Sequence, residues 1–291
     1  MNKKSFTAFT LIELLVVIAI IGILSALIII GMNSTTQKAS IAKGQVFANS
    51  LRNSLMINMI AEYKLDGNAN DTWGTHAAGT VSGASVYSSC PQSTCYSFDN
   101  IDDYIELADA SDLRMTTGGT ISAWIYPKST GEGTYGIVVD KSTSFSGGGG
   151  YNFCLFPNNV LAFRIDAGAS LLSSNNAVAL NQWQLATVTF ISGNRKLYIN
   201  GVDVTASGGG VTGLPPDSSG VVARIGNRAY DTNYTFDGYI DDVQIYNQVI
   251  PTSQIQQNYF VGLNKLFAKQ GMGELEYQQR FSDLLNNFAT N

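Results

Sequence analysis

The feature that most constrains this chain is a nearly unbroken apolar run near its N-terminus, from Leu14 to Met32. A helix of this length, rising about 1.5 Å per residue, is about 28 Å long and so matches the ~30 Å hydrocarbon core of a bilayer. Lys3 and Lys4 precede the run and, by the positive-inside rule, are expected to stay in the cytoplasm. The sequence therefore predicts one membrane-spanning helix, with the rest of the chain on the far side of the membrane.

Glu13 stands at the edge of this apolar run, where an ordinary membrane anchor has no carboxylate. A carboxylate that enters a bilayer unpaired costs on the order of several kcal/mol, and no Lys or Arg follows Lys4 within helical reach. We therefore expect a cation from another molecule to pair with Glu13. The alternatives are a plain signal anchor whose Glu13 reaches the headgroups, or a conventional signal peptide, which no A-x-A-like site supports.

The residues from Phe9 to Val17, FTLIELLVV, resemble the prepilin processing motif of type IV pilins and type II secretion pseudopilins. The resemblance implies that a prepilin peptidase cuts between Ala8 and Phe9 and that the new Phe9 amine is N-methylated. Ala8 stands where the family usually has glycine. In a filament, the positive amine at Phe9 of one subunit is then the expected partner of Glu13 in its neighbour.

The apolar run continues into a segment with helical periodicity. Phe47, Leu51, Leu55 and Met59 recur at intervals of four residues, which places them on one face of a helix. We expect the pilin helix to extend from residue 9 to residue 61 and its apolar stripe to lie against a globular domain.

The residues beyond position 62 form short runs typical of β-strands, separated by clusters of Gly, Ser, Asn and Asp. Examples are residues 120–126, 184–190, 196–201 and 239–246. This pattern predicts an antiparallel β-sandwich or jelly roll. The fold class expected for the whole chain is α+β, with a long N-terminal helix, the sandwich and short C-terminal helices.

Several of these segments resemble laminin-G-like, concanavalin A-like jelly rolls. The segment FDNIDDYIEL (98–107) is similar to the family pattern F-D-G-x-D-D-Y-I, with Asn100 in place of glycine. The other similar segments, in the order typical of the family, are LDGNANDTWG (65–74), TISAWIYP (120–127), NQWQLATVTF (181–190), LYINGV (197–202) and FDGYIDDVQIYNQVI (236–250). The resemblance implies a domain that can bind Ca²⁺, glycans or proteins.

Aspartates supply the candidate Ca²⁺ ligands, because calcium prefers six to eight oxygen atoms from carboxylates and carbonyl groups. They form three clusters: Asp66 with Asp71, Asp99 with Asp102 and Asp103, and Asp241 with Asp242. The resemblance places the first and last strands side by side, so that Asp71 is expected to approach Asp241. The alternative is that these aspartates cap turns by accepting hydrogen bonds from backbone amides.

Aromatic residues in or near predicted loops are candidates for stacking on sugar rings: Trp73, Tyr135, Tyr151, Tyr230 and Tyr234. The alternative is ordinary loop packing, which is also the interpretation for Trp124 and Trp183 in the core motifs of the family.

Enzymatic and nucleic-acid-binding functions are not indicated. His76 is the only histidine, and neither an H-E-x-x-H nor a G-x-S-x-G pattern occurs. The formal net charge is −5, and no cluster of basic residues larger than a pair such as Lys3-Lys4 occurs. We therefore expect a protein that is not an enzyme and that has no nucleic-acid partner.

The cysteines and the C-terminus complete the predictions. Cys90 and Cys95 are close enough in sequence to form a disulfide outside the cytoplasm, whereas Cys154 lies in a predicted strand. A pairing of Cys154 with either of them is the alternative. Beyond Pro251, residues 252–268 and 274–288 have helical patterns, and the last helix is expected to dock on the domain or, alternatively, to bind a partner.

Together these features predict a leader (1–8), a pilin helix (9–61) with its membrane span (14–32), a laminin-G-like domain (62–250) and a C-terminal helical segment (251–291). The expected function is that of a type IV pilus subunit, first in the inner membrane and then in an extracellular filament, with other pilins as partners and with glycans or surface proteins as targets. The alternatives are a type II secretion pseudopilin or a minor pilin that serves purely as a carbohydrate-binding adhesin.

Overall fold

A computed structural model describes residues 58–291 of the protein, except 89, 91–93, 144–148, 166–169, 211, 270 and 290–291. The predicted leader, the pilin helix up to residue 57 with its membrane span, and the sites at Ala8, Phe9 and Glu13 lie outside the described residues. The prediction that this helix continues to residue 61 is wrong, because Met59–Tyr63 forms a strand that pairs with the last strand of the sandwich. Neither helix in the described part of the chain is long and apolar enough to cross a membrane.

Short strands form most of the described chain, as the sequence predicts. Their bounds are β1 Met59–Tyr63, β2 Thr80–Ser82, β3 Ser85–Tyr87, β4 Cys95–Asp99, β5 Tyr104–Leu107, β6 Gly119–Pro127, β7 Gly136–Ser142, β8 Gly150–Phe156, β9 Val160–Ile165, β10 Leu171–Ser173, β11 Gln184–Ile191, β12 Asn194–Ile199, β13 Val202–Asp203, β14 Thr205–Ser207, β15 Ala223–Ile225 and β16 Asp237–Tyr246.

The strands form two antiparallel sheets. The first has the order β13-β12-β11-β6-β16-β4-β3, with β1 also paired to β16, and the second has the order β14-β10-β9-β8-β7-β15-β5-β2. The prediction of an antiparallel, jelly-roll-like sandwich is confirmed.

The main core lies between the two sheets, because every second residue of a strand points inward. Phe163 of β9 and Phe190 of β11 meet across this core with ring centroids 4.6 Å apart, and neither side chain is exposed. Complete burial of one such ring stabilises the fold by about 1.5–3 kcal/mol. Contacts of this kind hold the two sheets face to face.

The first and last strands of the sandwich are neighbours. Glu62 of β1 pairs with Gln244 of β16, and the register of β16 against β6 shifts between Asp241 and Gln244. Asp242, within the shift, has a positive φ of 45°, which is typical of a bulge. The side-by-side arrangement that the family resemblance implies is therefore present.

The substitution in the F-D-G-x-D-D-Y-I pattern has a simple conformational explanation. Asn100 has a φ of 68°, in the left-handed region that glycine adopts without strain. Asparagine is one of the few other residues that tolerate this region, so that the turn between β4 and β5 forms without glycine.

Two helices follow Pro251: α1, Thr252–Ala268, and α2, Glu274–Ala289. These bounds agree with the predicted helices to within one residue. The ring of Tyr259 in α1 stacks on Trp124 of β6, with centroids 5.8 Å apart, and Arg280 of α2 donates to the carbonyl of Trp183 at 2.7 Å. Both helices thus cover the outer face of the first sheet, where Trp124 and Trp183 are buried.

The predicted disulfide between Cys90 and Cys95 is present. Cys154 is a free cysteine, and it is buried in β8 as predicted. Burial raises the pKa of its thiol far above the ordinary range, so that this cysteine remains an uncharged packing group.

Candidate functional site

A row of polar residues crosses the outer face of the second sheet. In successive pairs, Glu106 of β5 lies opposite Arg224 of β15, Arg224 opposite Asp140 of β7, Asp140 opposite Asn152 of β8, and Asn152 opposite Arg164 of β9. Directly paired residues project from the same face of a sheet, so these five side chains form one continuous row. We call this row the polar rung.

Aromatic side chains flank the polar rung; we call Tyr104, Tyr135, Phe156, Tyr230 and Tyr234 the aromatic rim. Tyr135 makes edge contacts with both Phe156 and Tyr234, at centroid distances of 5.0 and 5.3 Å. Tyr230 is 40% exposed. The rim therefore combines packed rings with at least one ring that is open to solvent.

Arginine residues connect the aromatic rim to the polar rung. The guanidinium of Arg224 lies 3.9 Å from the ring centroid of Tyr104 and binds Glu106 with an N–O distance of 2.8 Å. It also donates to the carbonyl groups of Arg228 and Asp231, at 2.9 Å each. Arg224 thus fixes the loop that carries Tyr230 and Tyr234 onto the sheet.

Arg228 organises the same loop from within. Its guanidinium lies 4.5 Å from the ring centroid of Tyr230 and 4.1 Å from that of Tyr234, and it pairs with the carboxylate of Asp231. Cation–π contacts of this kind contribute about 0.5–1 kcal/mol when exposed and more when desolvated. The two tyrosines are therefore held in place before any ligand arrives.

Asp140 is the most unusual member of the polar rung. It is fully buried, and neither carboxyl oxygen has a hydrogen-bond donor among the described residues. Burial raises the pKa of Asp140 to about 7, and this effect outweighs the nearby Ser142 and Arg228, which favour the charged form. Ser142 lies close to the carboxyl group but without hydrogen-bonding geometry. Burial therefore favours the protonated form of Asp140 at a pH at which an ordinary carboxyl group is charged.

The aromatic residues that were predicted to stack on sugars do not all lie at one site. The structure brings Tyr135, Tyr230 and Tyr234 together in the aromatic rim, whereas Trp73 lies at the beginning of the domain and donates from Nε1 to the carbonyl of Met59 at 2.8 Å. Tyr151 borders a loop, as predicted, but it is not available for stacking on a sugar ring. It belongs to β8, its ring is buried, and its hydroxyl donates to the Leu113 carbonyl at 2.9 Å.

Asp99, Asp102 and Asp103 are the one group in the described part of the chain whose metal-binding atoms converge, all within 4.8 Å of one another. Asp99 and Asp102 are exposed, whereas Asp103 is buried and already accepts a bond from the Asp99 N–H at 2.8 Å. Burial and the charge of Asp99 raise the pKa of Asp103 to about 6. Three carboxylates suit Ca²⁺, but they supply only part of its six to eight oxygen ligands. The calcium site remains a prediction.

Asp71 organises the turn that follows β1. Its Oδ1 accepts hydrogen bonds from the N–H groups of Glu62, Trp73 and Gly74 at 2.9–3.0 Å, and its Oδ2 lies 2.7 Å from Nδ1 of His76. Burial alone would raise the pKa of Asp71, but these donors outweigh it and lower the pKa. This arrangement matches the turn-capping interpretation.

The two aspartates predicted on the last strand lie within its bulge. Asp241 is fully buried and accepts a bond from the Asp242 N–H at 3.0 Å, while the Asp242 carboxylate lies 3.3 Å from Nε2 of Gln244. These contacts hold the bulge together, and metal binding by either residue stays a prediction.

Two family models match the chain. Residues 98–256, more than half of the sequence, match the laminin G model that is described as the concanavalin A-like lectin/glucanases superfamily. Residues 3–29 match the prokaryotic N-terminal methylation motif. No curated protein shows a significant match to the chain.

Several solved structures share the fold. The botulinum neurotoxin serotype D binding domain has a TM-score of 0.53 and 17% identity, with 71% of this chain and 52% of that chain covered. Trypanosoma rangeli sialidase in complex with 2,3-difluorosialic acid has a TM-score of 0.54 and 14% identity, and the match covers 70% of this chain and 33% of that chain. The binding domain of Paraclostridial Mosquitocidal Protein 1 has a TM-score of 0.52 and 15% identity, and the match covers 70% of this chain and 52% of that chain.

At these identities the similarity shows the fold alone, and the chain spans between a third and about half of the length of these proteins. The family match agrees with the two antiparallel sheets described above. The chain therefore carries a prokaryotic N-terminal methylation motif of the type IV pilin kind and belongs to the laminin-G-like family of the concanavalin A-like lectin/glucanases superfamily.

Proposed function

We propose that this protein is a type IV pilus subunit that polymerises through its N-terminal segment and displays its lectin-like domain for adhesion to surfaces. The observation that carries the proposal is the presence of both modules on one chain: a methylation motif at residues 3–29 and a lectin-family domain at residues 98–256. Binding and assembly, rather than catalysis, are the functions that this combination supports.

The proposal includes a life cycle for the N-terminus. A prepilin peptidase cuts the chain between Ala8 and Phe9, which removes residues 1–8. The new Phe9 amine is then N-methylated. The segment 14–32 holds the subunit in the inner membrane. During assembly, Glu13 of one subunit pairs with the Phe9 amine of another. This pairing neutralises a carboxylate that otherwise costs several kcal/mol in an apolar environment.

The proposed binding surface is the aromatic rim on the outer face of the second sheet, together with Glu106 and Arg224, the partly exposed ion pair of the polar rung. Sugar rings present apolar C–H faces that stack on aromatic side chains, and their hydroxyl groups bond to nearby polar groups. Tyr230 offers an exposed ring, and Arg228 holds that ring in place. We therefore propose a glycan as the ligand of this face, whereas the Asp99, Asp102 and Asp103 cluster is a proposed calcium site.

Assembly is tested by electron microscopy of shed filaments, combined with mass spectrometry of the subunit N-terminus. The expected chain begins at methylated Phe9, and E13Q should reduce filament formation strongly while the subunit remains in the membrane. Filaments built from chains that still begin at Met1, or normal filaments from E13Q, would contradict the proposal. Loss of protein secretion without any filament defect would instead favour the pseudopilin alternative, which shares the processing motif.

Glycan recognition is tested by array binding of the full-length protein in detergent. Y230A should weaken binding about threefold or more, because one aromatic contact contributes about 0.5–1.5 kcal/mol. Y87A is the matched control, since Tyr87 is similarly exposed (38%) but lies on the first sheet. Equal losses in both variants, or no binding by the wild-type protein, would refute glycan binding at the aromatic rim.

A further inference from the structure

Two ion pairs beside the aromatic rim share one orientation. In each pair the guanidinium is nearly buried, and the carboxylate is the more exposed member. The side chain of Arg224 is 13% exposed and that of Glu106 is 35% exposed, while the values for Arg228 and Asp231 are 7% and 30%. This face therefore presents carboxylate oxygens to solvent, although the charges cancel within each pair.

The carboxylate of Asp231 is held beside the exposed ring of Tyr230. The guanidinium of Arg228 contacts both groups, since it lies 4.5 Å from the ring centroid of Tyr230 and pairs with Asp231. Burial alone would raise the pKa of Asp231, but the hydrogen bonds from Arg228 and Asn233 outweigh burial and lower the pKa. Asp231 is therefore a fixed negative charge next to the proposed stacking surface at neutral pH.

Glu106 provides a second acceptor in the same network. Its Oε2 accepts hydrogen bonds from Nε and Nη2 of Arg224, at 3.1 and 2.8 Å. No hydrogen bond from a residue that the structure describes reaches its Oε1, so this oxygen is available to a ligand. Arg224 also donates to the backbone carbonyl of Asp231 at 2.9 Å, so Glu106 and the loop that carries Tyr230 contact one guanidinium.

The other cation of the polar rung lies at the opposite end of that row. Arg164 belongs to β9, three strands from β15, which corresponds to about 14 Å across the sheet. Its guanidinium lies 5.9 Å from the ring centroid of Phe156. A variant of Arg164 can therefore distinguish a ligand at that end of the row from a ligand beside Asp231 and Glu106.

We propose that this face selects neutral glycans, whose hydroxyl groups donate to the carboxylates of Asp231 and Glu106, and discriminates against acidic glycans. A hydroxyl group can donate a hydrogen bond, whereas the carboxylate of a uronic or sialic acid only accepts one and carries a like charge. Two like charges about 4 Å apart in water repel each other by roughly the free energy of a fivefold change in affinity. This inference rests on the proposed glycan binding at the aromatic rim and names the class of its ligand.

The test is array binding of the full-length protein in detergent to pairs of glycans in which one member carries a carboxylate. The pairs are glucosides with glucuronides, galactosides with galacturonides, and lactose with sialyllactose. At low salt the neutral member should bind about fivefold more tightly, and the ratio should fall towards one as sodium chloride screens the charges.

This comparison separates the two proposals. Equal or tighter binding of the acidic members at low salt would overturn the selectivity for neutral glycans. If that binding still weakened in Y230A, glycan recognition at the aromatic rim would stand and only its ligand class would be wrong. A wild-type protein that bound no glycan would overturn both.

Variants that remove one charge assign the selectivity to particular side chains. D231N keeps an oxygen that can accept from Arg228 but loses the charge, so the neutral-to-acidic binding ratio should fall. E106Q should lower the ratio in the same direction, and it keeps the test informative if D231N disturbs the loop. D203N is the matched control, because Asp203 is also a partly exposed, ion-paired acid (39%) but lies on the first sheet, and its ratio should equal that of the wild-type protein. Unchanged ratios in both D231N and E106Q, or a ratio that changes only in R164Q, would also overturn the inference.

Discussion

Nδ1 of His76 lies 2.7 Å from Oδ2 of Asp71, and the other ring nitrogen lies 3.0 Å from Oδ1 of Asp112. A neutral imidazole carries only one N–H, so both contacts are hydrogen bonds only when the ring is protonated. Burial alone would lower the pKa of His76, but the bonds to Asp112 and Asp71 outweigh burial and raise it. The protonated ring thus joins the turn after β1 to the short 3-10 helix at Asp112–Arg114.

This histidine should make the stability of the domain depend on pH. The pKa of His76 in the folded state lies above its value of about 6.5 in the unfolded state. The protonated ring therefore stabilises the fold fully below pH ~6.5, and this stabilisation is lost as the pH rises through the folded-state pKa. We expect the wild-type protein to melt at a higher temperature than H76Q at pH 5.5, with the difference shrinking by pH 9. The titration of Asp140 affects both proteins and cancels. A difference that is constant or that grows with pH would contradict this assignment.

Asp140 should destabilise the fold at alkaline pH. Its pKa of about 7 lies above the unfolded value of about 3.9, so the folded state holds a proton that the unfolded state loses, and stability falls as the pH rises from about 4 to 7. D140N removes this penalty, which is on the order of several kcal/mol above pH 8. Denaturant unfolding at pH 5 and pH 8.5 should show a gain for D140N mainly at the higher pH. A loss of stability at pH 8.5 would mean that the charged form is stabilised in the fold.

The disulfide between Cys90 and Cys95 closes a short loop, with a sequence separation of five residues. Loop-closure entropy predicts a stabilisation of about 2 kcal/mol for a ring of this size. The C90A/C95A double variant should therefore melt several degrees below the oxidised wild-type protein in calorimetry. The reduced wild-type protein should behave like the variant, and C154A, which leaves the disulfide intact, serves as the control for cysteine removal.

Gly262 of α1 permits the close packing of this helix on the first sheet. A Cβ atom at this position would lie 2.2 Å from Cζ2 of Trp124, closer than any real contact. G262A should destabilise the protein by about 1–3 kcal/mol and shift the tryptophan fluorescence as the helix moves away. G273A is the matched control, because a Cβ atom on Gly273 meets nothing within 4 Å. Equal stability of the two variants would show that α1 can shift at no cost.

The parts of the fold that sequence could predict depend on local patterns. The bounds of α1 and α2 follow from helical periodicity and from Pro251, and the Cys90–Cys95 pair follows from short spacing. The burial of Tyr151 could not be predicted, because the residue follows a glycine-rich segment, yet its ring belongs to the core.

The polar rung could not be predicted, because it depends on pairing between distant strands. Glu106 and Arg224 are 118 positions apart in sequence and form an ion pair only because β5 and β15 are neighbours. The burial of Arg195 could not be predicted either. A single arginine in a strand does not indicate whether its guanidinium is buried or which groups it contacts.

The pairing of β1 with β16 has an evolutionary consequence. Met59, near the beginning of the sandwich, lies opposite Tyr246, near its end, so the sandwich meets the preceding and following segments at one place. A unit with adjacent ends can be exchanged for another without changing the spacing of the segments that flank it. Recombination can in this way replace the whole sandwich by another domain while the segments on either side of it stay unchanged.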